Sequence, residues 1–157
     1  MTKVWQRVKI IGIDYWHTNL ATFHLNYFPE MLKPGQYMNF GIINTEGKRI
    51  IKSYTIISLQ HESTSFLAIR ISQNSFTSAL FQRSVGDTIE IMPKCMGDFH
   101  LDRIVDAEIL WLLATGTGVA PYIAILKSLK VWQKFQKVIL LHSVQDVKEL
   151  VYYEALK

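Results

Sequence analysis

The sequence predicts a small antiparallel β-barrel with one capping helix, followed by the first βαβ(α) portion of a doubly wound α/β domain. Three observations carry this. Up to about residue 103, short runs rich in Val, Ile, Phe, Tyr and Thr alternate with turn residues. After residue 104, a continuous apolar run leads through a glycine corner into helical periodicity. Finally, 49% hydrophobic and 19% charged residues suffice to bury a core and exclude disorder. The expected units are 1–103 for the barrel and 104–157 for the α/β portion.

In order, the strand-like runs are Val4–Ile13, Leu20–Tyr27, Gln36–Ile43, Lys52–Leu59, Ser65–Ser72 and Thr88–Met92. Leu67, Ile69 and Ile71 alternate with Ala68, Arg70 and Ser72, the period-two pattern of a half-buried strand. Ile89 and Ile91 flank Glu90 in the same way. Turn residues fall between the runs: Lys33-Pro34-Gly35, Glu46-Gly47-Lys48, Val85-Gly86-Asp87 and Met96-Gly97-Asp98. Six short strands at this spacing suit a small barrel. Phe76, Ala79 and Leu80 recur at helical spacing, so Ser75–Arg83 is the expected capping helix. Ile109–Ala114 then reads as a parallel strand buried on both faces. Tyr122, Ile125, Leu126, Leu129 and Trp132 predict a helix from Ala120 to about Lys134. Val138–His142 is a second buried strand, and Asp146–Tyr153 could begin another helix. Residues 105–157 fall short of the ~100–150 of an independent domain, so the α/β portion is expected to be incomplete.

Charge and cysteine content narrow the class. Seventeen Lys+Arg against thirteen Asp+Glu give a net charge of +4, and Cys95 is the single cysteine, which excludes a disulfide-stapled scaffold. Lys3, Arg7 and Lys9 interrupt the N-terminal apolar residues, so no export signal is expected there. Ile109 to Leu126 carries no charge and reaches the lower length limit for a membrane span. Thr115-Gly116-Thr117-Gly118 and Pro121 break it, however, so strand, turn and helix explain it better. The expectation is a cytoplasmic chain without a membrane segment. His17, His24, His61, His100 and His142 lack metal-ligand spacing, and no metal is expected. His142, at a strand end, reads as structural. Lys127, Lys130, Lys134 and Lys137 fall on one helical face, either a solvated surface or a docking patch for an acidic protein.

Two local patterns carry chemistry. Ala114-Thr115-Gly116-Thr117-Gly118-Val119-Ala120-Pro121 lies between a buried strand and a helix. Its glycines permit close approach of a bulky anion, and the helix start aims free N–H groups at it. A plain βα connection without ligand is the alternative. In Lys52-Ser53-Tyr54-Thr55-Ile56-Ile57-Ser58, strand geometry puts Lys52 and Tyr54 on one face and Thr55 on the other unless a bend intervenes. By composition alone this is an ordinary strand with a core tyrosine.

Five motifs in register change that reading. Pro34-Gly35-Gln36-Tyr37, Lys52-Ser53-Tyr54-Thr55, Gly97-Asp98-Phe99, Ala114–Gly118 and Glu149-Leu150-Val151-Tyr152 occur in this order. With them the chain resembles the bacterial ferredoxin–NADP (flavodoxin–NADP) reductases over essentially its whole length. The resemblance implies an FAD-binding barrel and the front part of a Rossmann-like nucleotide domain. It implies an oxidoreductase passing electrons between NADPH and ferredoxin or flavodoxin, or a truncated flavin-binding module without efficient NADPH turnover. A monomer is implied for the complete protein. A basic barrel binding nucleic acid would leave Thr115–Gly118 unexplained and is not expected.

The resemblance also assigns roles. Tyr54 is expected to lie against the isoalloxazine and Thr55 to hydrogen-bond near its N5, the two catalytic positions, with Ser53 just before them as a cofactor-binding residue. Lys52 stands where the family usually has an arginine facing the FAD pyrophosphate; it keeps the charge but not the bidentate fork. Leu67, Ala68, Ile69 and Arg70 correspond to the strand along the flavin. Ser75, Phe76 and Thr77 correspond to the helix start at the pyrophosphate, with Thr77 as hydroxyl donor, and Asn74 replaces a frequent glycine. Thr115, Gly116, Thr117 and Gly118 correspond to the pyridine-nucleotide site. Gln145 replaces the arginine that pairs with a 2′-phosphate, so NADH is possible beside NADPH.

Overall fold

The structure is a computed structural model that describes residues 4–71 and 75–156. Its first part is a six-stranded antiparallel sheet: β1 (Gln6–His17), β2 (Leu20–Leu25), β3 (Tyr37–Ile43), β4 (Arg49–Thr55), β5 (Ser65–Ile69) and β6 (Thr88–Met96). Their order across the sheet is β4-β3-β6-β1-β2-β5. The two outer strands meet just beyond β4, where Ile56 bridges Phe66 and the Ile57 N–H donates to the Ser65 carbonyl at 2.8 Å. The sheet therefore curls into a barrel, which removes the exposed edges an open sheet would present.

β1 makes this closure possible. It is longer than the Val4–Ile13 run suggests, and its register shifts at Ile10/Gly12 and Tyr15/His17. Such bulges bend a strand. Here the bend lets Gln6–Lys9 pair with β6 and Ile10–His17 pair with β2. Inside the barrel, Ile10, Phe23, Leu25, Met38, Phe40, Ile56, Phe66 and Ile91 are fully buried. Helix α1 (Ser75–Leu80) adds Phe76 and Leu80 to this core as the expected cap. It is shorter than Ser75–Arg83.

The second part pairs β7 (Ile109–Thr115) with β8 (Lys137–Ser143) in parallel. Between them run a 3₁₀ turn over Gly116–Val119, α2 (Ala120–Lys127) and α3 (Leu129–Lys134). Pro121 sits in the first turn of α2, where its missing N–H removes no bond. Four expectations are corrected here. The single helix to Lys134 breaks at Ser128, which is extended and caps α3 by accepting from the Lys130 N–H. Periodicity concealed this because α2 and α3 bury residues into one cluster, Ile125 with Val131. β7 is not buried on both faces: Leu110, Leu112 and Ala114 are buried, whereas Trp111 and Leu113 are 57% and 63% exposed. One helical layer covers only one face of the two-stranded sheet. In the Asp146–Tyr153 stretch, a 3₁₀ turn over Val147–Glu149 is capped by the Asp146 carboxylate, and α4 (Tyr153–Leu156) starts only after Tyr152 adopts φ +59°. Nor do the four lysines form a single free face. Lys134 folds inward, donating to the Ile104 carbonyl at 2.5 Å and pairing with Asp106 at 3.3 Å. Among the described residues, no helix is long and apolar enough to cross a membrane.

The Pro34-Gly35 turn packs against the residues that follow β6 and lead into the second part. Gly35 has φ +102°, and a methyl group there would overlap the Phe99 carbonyl oxygen in the connection between the two parts. Gln36 reinforces the contact by donating from Nε2 to the Gly97 carbonyl at 3.1 Å. Gly47 also has positive φ but faces open space. Gly47→Ala should therefore cost about 1 kcal/mol from backbone strain alone, and Gly35→Ala more than about 2 kcal/mol from strain plus overlap. Denaturant unfolding of the two variants measures the difference.

Candidate functional site: the crevice at the end of β4

Cross-strand register decides which way β4 presents its side chains. Lys52 and Tyr54 lie opposite Phe40 and Met38, whereas Ser53 and Thr55 lie opposite Asn39 and Tyr37. No bend intervenes, so Lys52 and Tyr54 share one face and Thr55 the other, as a regular strand demands. Ser53 donates to Asn39 Oδ1 at 2.6 Å, which ties β4 to β3. The hydroxyl of Thr55 and the ammonium of Lys52, both half-buried, have no hydrogen-bond partner among the described residues.

Tyr54 is held by three rings from three elements: Phe66 at 4.9 Å, Phe76 at 5.8 Å and Phe40 at 5.9 Å between centroids. Its Oη is buried and has no hydrogen-bond partner among the described residues. A buried hydroxyl left unpaired costs free energy, so Oη is suited to a polar group brought by a ligand. The same burial raises the phenol pKa far above its usual range.

β5 alternates usefully. Phe66 and Ala68 face the barrel core, while Leu67 and Ile69 join the apolar cluster shared with Val119 and Ala120 of the glycine corner. Arg70 is turned away from this seam. Its Nε and Nη2 both donate to Asn19 Oδ1, at 3.1 and 2.7 Å, and its guanidinium lies 5.8 Å from the Phe81 ring. On α1, Phe76 is buried against Tyr54. Thr77 is 1% exposed, and its hydroxyl both accepts from the Ile71 N–H and donates to the Ile71 carbonyl, at 3.2 Å each. Thr77 thus holds the backbone ahead of the helix. The side chain of Ser75 and all of Asn74 lie outside the described residues.

At the glycine corner, Thr115 is exposed, Thr117 half-buried, and a methyl on either Gly116 or Gly118 would meet open space. Gly116 takes φ +48°, and His142 Nε2 donates to its carbonyl at 2.9 Å. This bond fixes the corner from β8, a role that its position at a strand end only hinted at. Beside it, Leu113–Thr115 and Leu141–Ser143 line a cavity of about 510 Å³ at the carboxyl ends of the parallel strands, where open α/β sheets bind ligands. Gln145 follows β8 as an exposed residue. A larger cavity of about 1010 Å³ lies between the Tyr27–Pro34 loop, Cys95, Leu101 and Ser128 and shares none of these residues. Its histidine, His100, has Nδ1 sealed beneath Asp102 at 3.6 Å.

One side-chain line mimics catalysis elsewhere on the barrel. Ser65 Oγ, His24 and Asp14 Oδ2 lie in hydrogen-bonded order at 2.7 and 2.8 Å. Ser65 is buried and also donates to the Ser63 carbonyl, so it presents no nucleophile to a substrate.

Lys52, Tyr54 and Phe76 thus lie together on the core side of β4, Thr55 lies on its other face, and Leu67 and Ile69 of β5 pack at the seam with Val119 and Ala120. Arg70 and Thr77 are engaged with the protein itself. Against known proteins, residues 13–99 match the model described as oxidoreductase FAD-binding domain and residues 112–157 that of the oxidoreductase NAD-binding domain. A flavodoxin/ferredoxin–NADP reductase of Buchnera aphidicola subsp. Baizongia pistaciae is 34% identical over 97% of this chain and 61% of its own length. One from Rhodobacter capsulatus is 31% identical over 91% and 54%. The chain therefore spans little more than half the length of these relatives. A crystal structure of a ferredoxin NADP+ reductase from Neisseria gonorrhoeae with bound FAD and NADP superposes with a TM-score of 0.90 at 26% identity, covering 99% of this chain and 63% of that one.

Burial raises the pKa of Tyr54 most, and also those of Tyr27 and Tyr152. The folded state thus keeps protons that the unfolded chain loses above pH about 10. Stability should be intact below that pH and fall as pH rises through and beyond it. Tyr54→Phe should flatten the fall, measured as denaturation midpoints between pH 8 and 11.5.

Proposed function

Because the chain belongs to the oxidoreductase FAD-binding domain family, we propose that it forms the flavin-binding and leading nucleotide-binding portion of a flavoprotein oxidoreductase. That enzyme passes electrons between NADPH and ferredoxin or flavodoxin. The observation that carries this reading is the ring-caged Tyr54, with its buried unpaired hydroxyl, on a barrel whose β5 packs against an open glycine corner. The barrel occupies 1–103 and the nucleotide portion begins at 104. The protein is cytoplasmic and monomeric and binds no nucleic acid.

FAD, when bound, supplies two-electron exchange with a nicotinamide and single-electron exchange with an acceptor protein. The chain's own residues bind and orient. Tyr54, restrained by Phe40, Phe66 and Phe76, offers a rigid aromatic surface and a hydroxyl donor at small entropic cost. Thr55, on the other face of β4, would offer a hydroxyl and Lys52 a cation, both without hydrogen-bond partners among the described residues. Leu67 and Ile69 line the approach with apolar surface that excludes water. Gly116 and Gly118 leave room for a nucleotide backbone ahead of α2. Gln145, a neutral donor, suits a ribose better than a 2′-phosphate, so NADH is accepted beside NADPH. A second reading is a flavin-binding module without efficient NADPH turnover.

Reconstitution with FAD separates these. Retained visible flavin absorption that NADPH bleaches anaerobically supports the reductase, absorption without bleaching supports the module, and no retained flavin overturns both. Lys52→Arg, which restores a bidentate fork, should tighten FAD about three- to tenfold, and Lys52→Ala should weaken it about tenfold. Flavin fluorescence titration reads both.

A further inference from the structure

Tyr152 crosses from the α/β part to the barrel, and no role has yet been assigned to it. Its Oη lies 2.9 Å from Thr22 Oγ1 on β2, a contact spanning 130 positions of sequence. Thr22 is fully buried and also receives the Trp16 indole N–H at 2.9 Å. An indole nitrogen can only donate, so Thr22 accepts from Trp16 and shares its remaining hydrogen-bonding capacity with Tyr152. The rings of Trp16 and Tyr152 are in tilted contact, 4.6 Å between centroids with 52° between their planes. Tyr152 holds φ +59°, a conformation unfavourable for a tyrosine, which surrounding contacts must maintain. The preceding residue, Val151, is buried with Leu20 and Leu67 of the barrel and with Val119, Ala120 and Ile123 after the glycine corner.

We infer that Trp16, Thr22 and Tyr152 form a clasp that fixes the glycine corner against β5, making Tyr152 a positioning residue for nucleotide approach. The nucleotide clause rests on the functional reading above; the clasp itself does not. The hydrogen bonds give direction to a seam that apolar packing alone would leave free to slide. Removing the Tyr152 hydroxyl deprives buried Thr22 of one partner and leaves the ring contact as the remaining side-chain restraint.

Amide hydrogen exchange on wild type, Tyr152→Phe, Thr22→Val and the double variant tests this. Each single change should speed exchange at 115–120 about fivefold while β3 and β6 stay unchanged, and the double variant should go no further than either single one. Unchanged exchange at the corner, uniform acceleration across the barrel, or additive effects would each overturn the clasp. With FAD bound, Tyr152→Phe should retain flavin affinity but weaken NADP+ about fivefold in difference spectra; equal NADP+ affinity removes the positioning role. A wild-type chain that takes no FAD defeats the functional reading, whereas the exchange result still decides the clasp.

Discussion

The apolar seam between β2 and β5 on one side and the residues after the glycine corner on the other governs everything else in this molecule. Leu20, Ile57 and Leu67 meet Val119, Ala120, Ile123 and Val151 there, all essentially without solvent contact. Burying side chains of this size contributes about 1.5–3 kcal/mol each, more than any single polar contact across the boundary. The seam brings the corner to the strand that runs beside Tyr54. Without it, a barrel with a caged tyrosine and a βα turn with two glycines would be unrelated features.

Polar groups then give the seam its geometry. Gly35 lets the first turn touch the Phe99 carbonyl, Gln36 bonds Gly97, and His142 anchors Gly116. Each is a short contact with one good orientation that fixes backbone on its own side of the seam, whereas the Tyr152–Thr22 hydrogen bond crosses it. The crevice itself is treated differently. Lys52, Thr55 and the Tyr54 hydroxyl remain without protein partners among the described residues, while neighbouring Ser53, Arg70 and Thr77 are all tied down. That division separates groups available to a ligand from groups that hold the walls.

Local patterns revealed much of this. The alternation in β5, the turn glycines and the strand–glycine–helix order are set by neighbouring residues, and each produced an element of the expected type, although β5 is buried on both faces rather than one. The face presented by Tyr54 followed from strand period alone. What escaped depends on distance or on a missing layer. Arg70 belongs to the strand expected along the flavin, but Asn19, far away in the chain, captures its guanidinium. Ser128 breaks a helix without disturbing hydrophobic phase. Trp111 and Leu113 belong to a run that reads as doubly buried, although one of its faces has no covering layer. Trp16, Thr22 and Tyr152 are remote in sequence and carry no common motif, so only the fold could join them.

The central claim is that flavin occupies the crevice bounded by β4, β5 and α1, beside the glycine corner. Mapping the amides protected from hydrogen exchange when FAD is added tests it most directly. The account requires protection at 53–57, 66–71 and 76–78, extending to 115–119. Bound flavin that instead protects the Tyr27–Pro34 loop and 93–102, around the larger cavity, would contradict it.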